Sequence, residues 1–404
     1  MIQVRFKNTH FFSVFMMLLL VISCSNSIHS TESEKEGKEK IVIGAARIEA
    51  YLLLIKNKRV AIVANQTSVI FKNNNLNTHL VDSLIALNVN ITKVFAPEHG
   101  FRGKADAAEY VADGKDSKTG LPIISLYGKN KKPSQKQLDN VDIVVFDIQD
   151  VGVRFYTYIS TLHYVMEACA EKGIPLIVLD RPNPNGHYVD GPMLELKHKS
   201  FVGMHPVPLV YGLTIGEYAQ MINGQKWLEN TVTCDLTVIE LKNYTHQSEY
   251  HLPVRPSPNL PNDKSINLYP SLGFFEGTPI NAGRGTEFQF QRYGAPYFPK
   301  SDFTYTPHPN FGSKHPKHQE EICNGVDLNK TPKLSAINLE WLIDAYHKTP
   351  KDISFFGKTF TVHAGNTTLQ KQIEKGMTAK EIRKSWKVDL NTFKEIRKKY
   401  LIYK

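Results

Sequence analysis

The sequence predicts an α/β protein: a doubly wound parallel sheet, followed by a smaller α/β (α+β) region. Three observations carry that expectation. Between Ile41 and about Thr245, short runs rich in Val, Ile and Leu alternate with amphipathic stretches, the pattern of strands joined by crossover helices. The runs are nearly continuous in apolar residues, as in a sheet covered on both faces. Ligands of such sheets sit beyond the carboxyl ends of the strands, and four of the five expected strand ends here deliver polar or ionisable residues.

The first residues stand outside that fold. Arg5 and Lys7 precede an apolar run from Phe11 to Ile22, too short for a bilayer span but suited to a signal peptide. Residues 1–23 are expected to be that signal. Leu20-Val21-Ile22-Ser23-Cys24 resembles the lipobox of bacterial lipoproteins, which implies cleavage before Cys24 and its lipidation. Residues 24–40 are polar and charged, the composition of a flexible tether.

Strands are expected at Val60–Ala64, Ile91–Ala96, Ile123–Leu126, Val141–Asp147 and Ile174–Leu179. Helices are expected at Leu76–Leu87 and Thr161–Lys172, and Thr214-Ile215-Gly216-Glu217 has the spacing of a capping box that opens another, to about Asn223. After the first strand come Asn65, Gln66 and Thr67, and after the second Glu98, His99 and Arg102. Asp147, Gln149, Asp150 and Arg154 follow Val141–Phe146, and Asp180, Arg181, Asn183 and Asn185 follow the last.

Residues 251–299 change character, with eight prolines among many aromatics. That is too aromatic for a disordered linker and too broken for regular elements, so an ordered, cleft-lining loop system is expected. The boundary between an N-terminal catalytic domain (41–248) and a C-terminal α/β domain (249–404) is placed at its start. Residues 301–333 read as a polar surface insertion. Beyond Ser335 the pattern is helix (Leu339–His347), strand (Thr359–Val362) and three short helices (Asn366–Lys375, Thr378–Ser385, Leu390–Tyr400).

Composition narrows the function. A formal charge of +10, or +8 without Arg5 and Lys7, favours anionic partners. The lysines are scattered without a recognition motif, which argues against nucleic acid. Cys169, Cys234 and Cys323 are widely spaced and match no zinc or redox pattern. No glycine-rich dinucleotide loop follows the first strand and no phosphate-binding loop of Walker type occurs, so neither a cofactor nor a metal is expected. The lack of a G-x-S-x-G elbow weakens a Ser-His-Asp hydrolase.

The richest segment is Ile91–Gly103, ITKVFAPEHGFRG. An acid, an imidazole and a guanidinium on a turn at a strand end are costly if buried and unmatched, and are better explained by chemistry at a cleft. Glu98 with Glu287, Asp147 or Asp150 would supply the paired acids of glycoside hydrolysis, and His99 is an alternative base. Arg284, Glu287, Arg292 and Tyr293 repeat that chemistry in the C-terminal region. Asp142, Glu195 and Glu217 are expected to be structural.

PEHGFRG, VDIVVFDIQDVGVRFYTYISTL, LDRPNPNG, PSPNLPN, LYPSL and the GRGTE–QRYGAP block resemble the DUF1343 family, associated with the exo-β-N-acetylmuramidase NamZ. The resemblance covers nearly the whole chain from Ile41. It implies a Rossmann-like N-terminal domain, a smaller C-terminal domain and a cleft between them. It also implies a glycoside hydrolase that releases terminal N-acetylmuramic acid from the non-reducing end of peptidoglycan fragments. Carried onto this chain, Glu98 becomes the general acid/base, with Tyr293 or Glu287 its catalytic partner, and a route assisted by the sugar's 2-acetamido group stays open. The lactyl carboxylate of a muramic sugar suits arginine, which makes Arg102, Arg181, Arg284 and Arg292 substrate-binding candidates beside His99, Asp147 and Asp150. Phe101, Tyr156, Tyr293 and Tyr297 are candidate stacking surfaces. With a lipid anchor, the protein would be held at a membrane of the cell envelope, periplasmic or surface-facing. The alternatives are a non-catalytic glycan-binding lipoprotein and a cell-wall hydrolase that cuts an ester or amide.

Overall fold

In the computed structural model, residues 1, 39–71, 77–102 and 113–404 are described. The expected signal peptide, Cys24 and nearly all of the tether lie outside the described residues. Residues Ile41–Lys404 form one contact-continuous unit. Its strands in chain order are β1 (Val60–Ala64), β2 (Val69–Phe71), β3 (Asn77–His79), β4 (Ile91–Ala96), β5 (Gly114–Lys115), β6 (Pro122–Ser125), β7 (Ile143–Asp147), β8 (Leu176–Leu179), β9 (Asp190–Met193), β10 (Pro208–Val210), β11 (Leu236–Ile239), β12 (Arg292–Ala295), β13 (Thr304–Tyr305) and β14 (Cys323–Asp327).

The main sheet runs β11-β8-β7-β1-β4-β6-β5. Its pairs are parallel except β5, which lies antiparallel on β6. Counting only the parallel strands, the order is 3-2-1-4-5-6, that of a doubly wound dinucleotide-type sheet. The chain builds outward from β1 through β4 and β6, then returns to β7 on the other side. The crevice at this reversal opens at the carboxyl ends of β1 and β7, with β4 beside them.

Alternating residues of one strand feed two cores, because successive side chains point to opposite faces. Ala61, Val63, Val144 and Phe146 join the core that holds the helices Tyr158–Lys172 and Ile215–Gly224 and continues into residues 260–393. Val60, Ile62, Ile143 and Val145 face the helices Ile48–Ile55 and Leu80–Ala86. Burial on both faces is why the strands read as unbroken apolar runs.

Two helices end where local chemistry requires. Tyr158–Lys172 stops at Gly173, φ 70°, a left-handed cap that glycine takes without penalty. Ile215–Gly224 opens on the expected capping box, with Thr214 accepting from the Glu217 N–H and Glu217 bonding back to the Thr214 N–H. The expected Leu76–Leu87 helix begins only at Leu80, because Asn77–His79 first pairs with β2.

The C-terminal half departs further from expectation. The proline- and aromatic-rich stretch contains a helix, Asp263–Leu272, with Pro270 inside it, then a 3-10 turn, Gly273–Gly277. Residues 301–333 supply β13 and β14, which join β12 in a three-stranded antiparallel sheet. The expected strand Thr359–Val362 is the helix Phe360–Ala364; its β-branched residues favour a strand, but Phe360 is buried against Phe274 and Phe356 and packing overrides propensity. Two expected helices are one, Ala379–Arg397, with Ile382, Trp386, Leu390 and Phe393 buried at helical spacing.

Two sets of hydrogen bonds tie the halves together. Arg154, fully buried, donates to the carbonyls of Pro192, Val207, His363 and Ala364. The C-terminal tail returns to the sheet: Tyr403 donates its hydroxyl to Asp180 (2.7 Å), and Glu217 accepts from the N–H groups of Ile402 and Tyr403. Asp142 pairs with exposed Arg59, and Glu195 with Lys197. Asp142, Glu195 and Glu217 are thus in structural contacts.

Candidate active site

Most strand-end polar groups are occupied by one another. Asn65 Oδ1 accepts from the Thr67 hydroxyl (2.6 Å), and Thr67 Oγ1 from the Gln149 N–H (3.0 Å). Asp147 and Arg181 form a two-point pair (2.6 and 2.9 Å) with the side chains 0% and 3% exposed. Asp150 is also buried; its Oδ2 accepts from the Gly152 N–H (2.7 Å) and the Tyr211 hydroxyl. Gly152 has φ +75°, and a Cβ there would collide with the Asn183 carboxamide. Burial pushes the Asp150 carboxyl up to about 6, against the hydrogen bonds that favour its charged form.

The end of β4 is different. Pro97 stops the strand, and the Gly100 N–H closes a turn on the Pro97 carbonyl (3.0 Å). His99 holds φ 71° in that turn while buried, a conformation uncommon for a residue with a side chain and maintained only by its surroundings. Glu98 is partly exposed. Its Oε2 accepts from the Thr157 hydroxyl (2.8 Å). Tyr127 also bonds to Glu98, and burial, then the Glu98 charge, raise the Tyr127 phenol above its ordinary range.

The opposite wall comes from the C-terminal half. Tyr269 packs edge-on against Phe155 (5.0 Å), Phe290 (4.7 Å) and Tyr156 (6.2 Å). Its phenol feels the charges of Glu276, Arg284, Glu98 and Asp150, and Tyr156, which it touches, packs on Tyr158, whose hydroxyl donates to the Glu98 carbonyl (3.4 Å). Arg284 sits over Phe290 and pairs with Glu276 (2.9 Å). Burial works to raise the Glu276 carboxyl, but Arg284, Lys317 and His363 outweigh it and hold it below the usual range. Lys317 donates to the carbonyls of Phe275 (2.7 Å) and Thr278 (2.6 Å), fixing the turn that carries Glu276. His363 directs Nδ1 at the Thr359 carbonyl (3.0 Å) and packs on Phe155 (5.7 Å).

The sequence candidates therefore separate. Glu98 and Arg284 are partly exposed and both act on the Tyr269 ring, whereas His99 and Asp150 are buried. Arg102 is engaged by Asp116 (3.1 and 2.7 Å) and stacks on Phe101; Arg181 is engaged by Asp147. Tyr293 is buried, stacked on Phe275, and donates to Asp344 (2.9 Å). Glu287 is exposed and lines another cavity with Arg292. Sequence reasoning missed Thr157, Tyr127, Tyr269, Glu276, Lys317 and His363. Thr157 and Tyr269 lie in the motifs VRFYTYISTL and LYPSL, but nothing local marks them as neighbours of Glu98. Among the described residues, no group of three or more His, Cys, Asp or Glu side chains is placed to hold a metal ion.

Comparison with known proteins finds relatives of nearly the whole chain. Models of the N-terminal and C-terminal parts of exo-β-N-acetylmuramidase NamZ match residues 60–264 and 267–403. A Bacillus subtilis (strain 168) protein, peptidoglycan β-N-acetylmuramidase NamZ, is 38% identical, the match covering 96% of this chain and 97% of that protein. The crystal structure of a DUF1343 family protein from Bacteroides fragilis NCTC 9343 is 46% identical with a TM-score of 0.83, covering 90% of this chain and 99% of the other. A second DUF1343 family structure from that organism is 29% identical, with a TM-score of 0.77 over the same shares.

Proposed function

Because this chain belongs to the exo-β-N-acetylmuramidase NamZ family, we infer that it is a glycoside hydrolase that removes terminal N-acetylmuramic acid from peptidoglycan fragments, with Glu98 as general acid/base. The observation that carries the residue assignment is accessibility. Of the strand-end acids, Asp147, Asp150 and Asp180 are 0%, 3% and 0% exposed, whereas Glu98 is partly open to the cleft. A proton donor must reach the bond it cleaves.

In this reading the Glu98 carboxyl gives its proton to the glycosidic oxygen as the bond to the anomeric carbon breaks. The remaining saccharide departs as an alcohol, the hydroxyl of a water ends on the anomeric carbon, and the water's other proton returns to the Glu98 carboxylate. Thr157 and Tyr127 hold the carboxyl in place. Arg284, steadied by Glu276 and partly exposed, receives the lactyl carboxylate, and Tyr156 and Tyr269 form the apolar wall.

The test is incubation of residues 25–404 with a MurNAc-GlcNAc disaccharide, read by mass. Release of free N-acetylmuramic acid is expected, with Glu98→Gln lowering kcat by roughly 10²–10⁴-fold at an unchanged melting temperature. Full activity in Glu98→Gln would remove that residue from the chemistry. Calorimetric binding of the disaccharide without turnover by folded protein would favour a glycan-binding protein instead.

We also propose secretion and lipidation at Cys24, which would hold the enzyme on a membrane of the cell envelope. The supporting features are the basic start, the apolar run and the Leu-Val-Ile-Ser-Cys sequence. Among the described residues no helix is long and apolar enough to cross a membrane. Replacing Cys24 with Ala should move the protein from the membrane to the soluble fraction; unchanged partitioning would defeat the proposal.

A further inference from the structure

Arg292 and Tyr293 are successive residues of β12 and therefore point to opposite faces. Tyr293 meets Phe275 and Asp344. Arg292 lines a cavity of about 420 Å³ together with Glu287, Phe288, Tyr305, His308 and Asn310. None of the residues around Glu98 lines it.

The Arg292 guanidinium is caged by aromatic rings, 4.2 Å from the centre of Phe288, 5.1 Å from Phe303 and 5.5 Å from Tyr305. Its Nε is buried with no hydrogen-bond partner, and it forms no ion pair among the described residues. Asp327 stands opposite in the β12–β14 register and its charge favours the charged guanidinium, without a direct ion pair, while its Oδ1 accepts from the backbone and side-chain N–H groups of Asn329. Elsewhere in the same cavity, Asn310 donates Nδ2 to the Thr286 carbonyl (3.1 Å), while its Oδ1 is buried without a partner. Leaving such groups unsatisfied costs free energy. The walls are preformed: the His308 N–H bonds the Gly285 carbonyl (2.8 Å), and Gly285 holds φ +78° where a Cβ would press on Pro316.

A guanidinium framed by aromatic rings at the wall of a cavity fits a ligand that carries a carboxylate. The volume lies within the range of small-molecule pockets, and Phe288, 41% exposed, offers an apolar surface to a sugar ring. We propose that this cavity is a second saccharide site, separate from the residues around Glu98, that takes a carboxylated sugar. The sugar carboxylate meets the outer guanidinium nitrogens of Arg292, the sugar ring lies on Phe288, and exposed Glu287 accepts a ring hydroxyl. The choice of sugar rests on the muramidase reading. Such a site would hold an acidic glycan on the enzyme between cleavage events.

The experiment is an amide-shift NMR titration of residues 25–404 carrying Glu98→Gln with N-acetylmuramic acid, with N-acetylglucosamine as control. Two groups of shifting resonances are expected, one of them containing Gly285, Thr286 and Phe288. Arg292→Gln, or Phe288→Ala, should abolish that second group alone, and N-acetylglucosamine, which has no carboxylate, should not produce it. In the otherwise natural sequence, Phe288→Ala should turn over the free disaccharide within about twofold of the unmodified protein. A single group of shifts around Glu98, an equal response to N-acetylglucosamine, or a large loss of disaccharide turnover in folded Phe288→Ala would overturn the proposal. If the natural sequence fails to release N-acetylmuramic acid while the second group persists, the activity assignment fails and this site stands.

Discussion

The Asp147–Arg181 pair decides whether a strand-end charge is machinery or framework. Replacing Arg181 with Met leaves Asp147, fully buried at the end of β7, without the guanidinium that now meets both its oxygens at 2.6 and 2.9 Å. Breaking a buried pair on one side costs about 3–5 kcal/mol, whereas replacing both partners by apolar groups of similar size is often neutral. With roughly 2.1 cal/mol/K of unfolding entropy per residue and the chain folded from Ile41 to Lys404, a loss of about 4 kcal/mol lowers Tm by about 5 °C. Calorimetric melting of residues 25–404 should show that drop for Arg181→Met, and recovery of most of it when Asp147→Leu is added. If Arg181→Met melts normally and instead raises KM for the disaccharide, the pair is part of the substrate site and this argument is refuted.

Other consequences follow from the same contacts. Burial, then repulsion from Glu217, raises the Asp180 carboxyl to about 7, so the folded chain binds a proton that the unfolded chain releases near pH 4. That contribution to stability is present at low pH and is lost as pH rises through about 7. Relative to the natural protein, Asp180→Asn should therefore gain stability between pH 4.5 and 8, read as a difference in Tm; a constant difference would contradict the assignment. Deleting residues 402–404 removes the Tyr403 hydroxyl from Asp180 and two N–H donors from Glu217, and should lower Tm by several degrees. Tyr293→Phe should cost about 1 kcal/mol for the bond to Asp344 and leave kcat nearly unchanged; a loss of orders of magnitude would return its hydroxyl to the chemistry.

The centre of the sheet was legible because β1, β7 and β8 are buried along their whole length. Val60–Ala64 and the core of Val141–Asp147 can be nothing but central strands, and their spacing leaves room for crossovers. The C-terminal half was less legible because its order comes from partners far along the chain. Pro270 argues against a helix locally, yet Asp263–Leu272 forms on the Asn262–Ser265 cap with its apolar side in the core. Lys317 reads as one more solvated cation in a His- and Lys-rich stretch, until carbonyls of the 275–280 turn converge on it.

For the site, the residue types at strand ends were readable but their occupancy was not. Asp147, Asp150 and Arg181 have the same chemistry in the sequence as Glu98 and Arg284. What separates them is whether solvent reaches the group: Glu98 and Arg284 are partly exposed, whereas Asp147, Asp150 and Arg181 are buried. Arg102 lies four residues from Glu98 in a single motif, yet its fork turns to Asp116. Sequence names the groups able to act, whereas the fold decides which of them solvent reaches. Of the acids at the ends of β4, β7 and β8, solvent reaches Glu98, the residue proposed for the chemistry, while Asp147, Asp150 and Asp180 are buried.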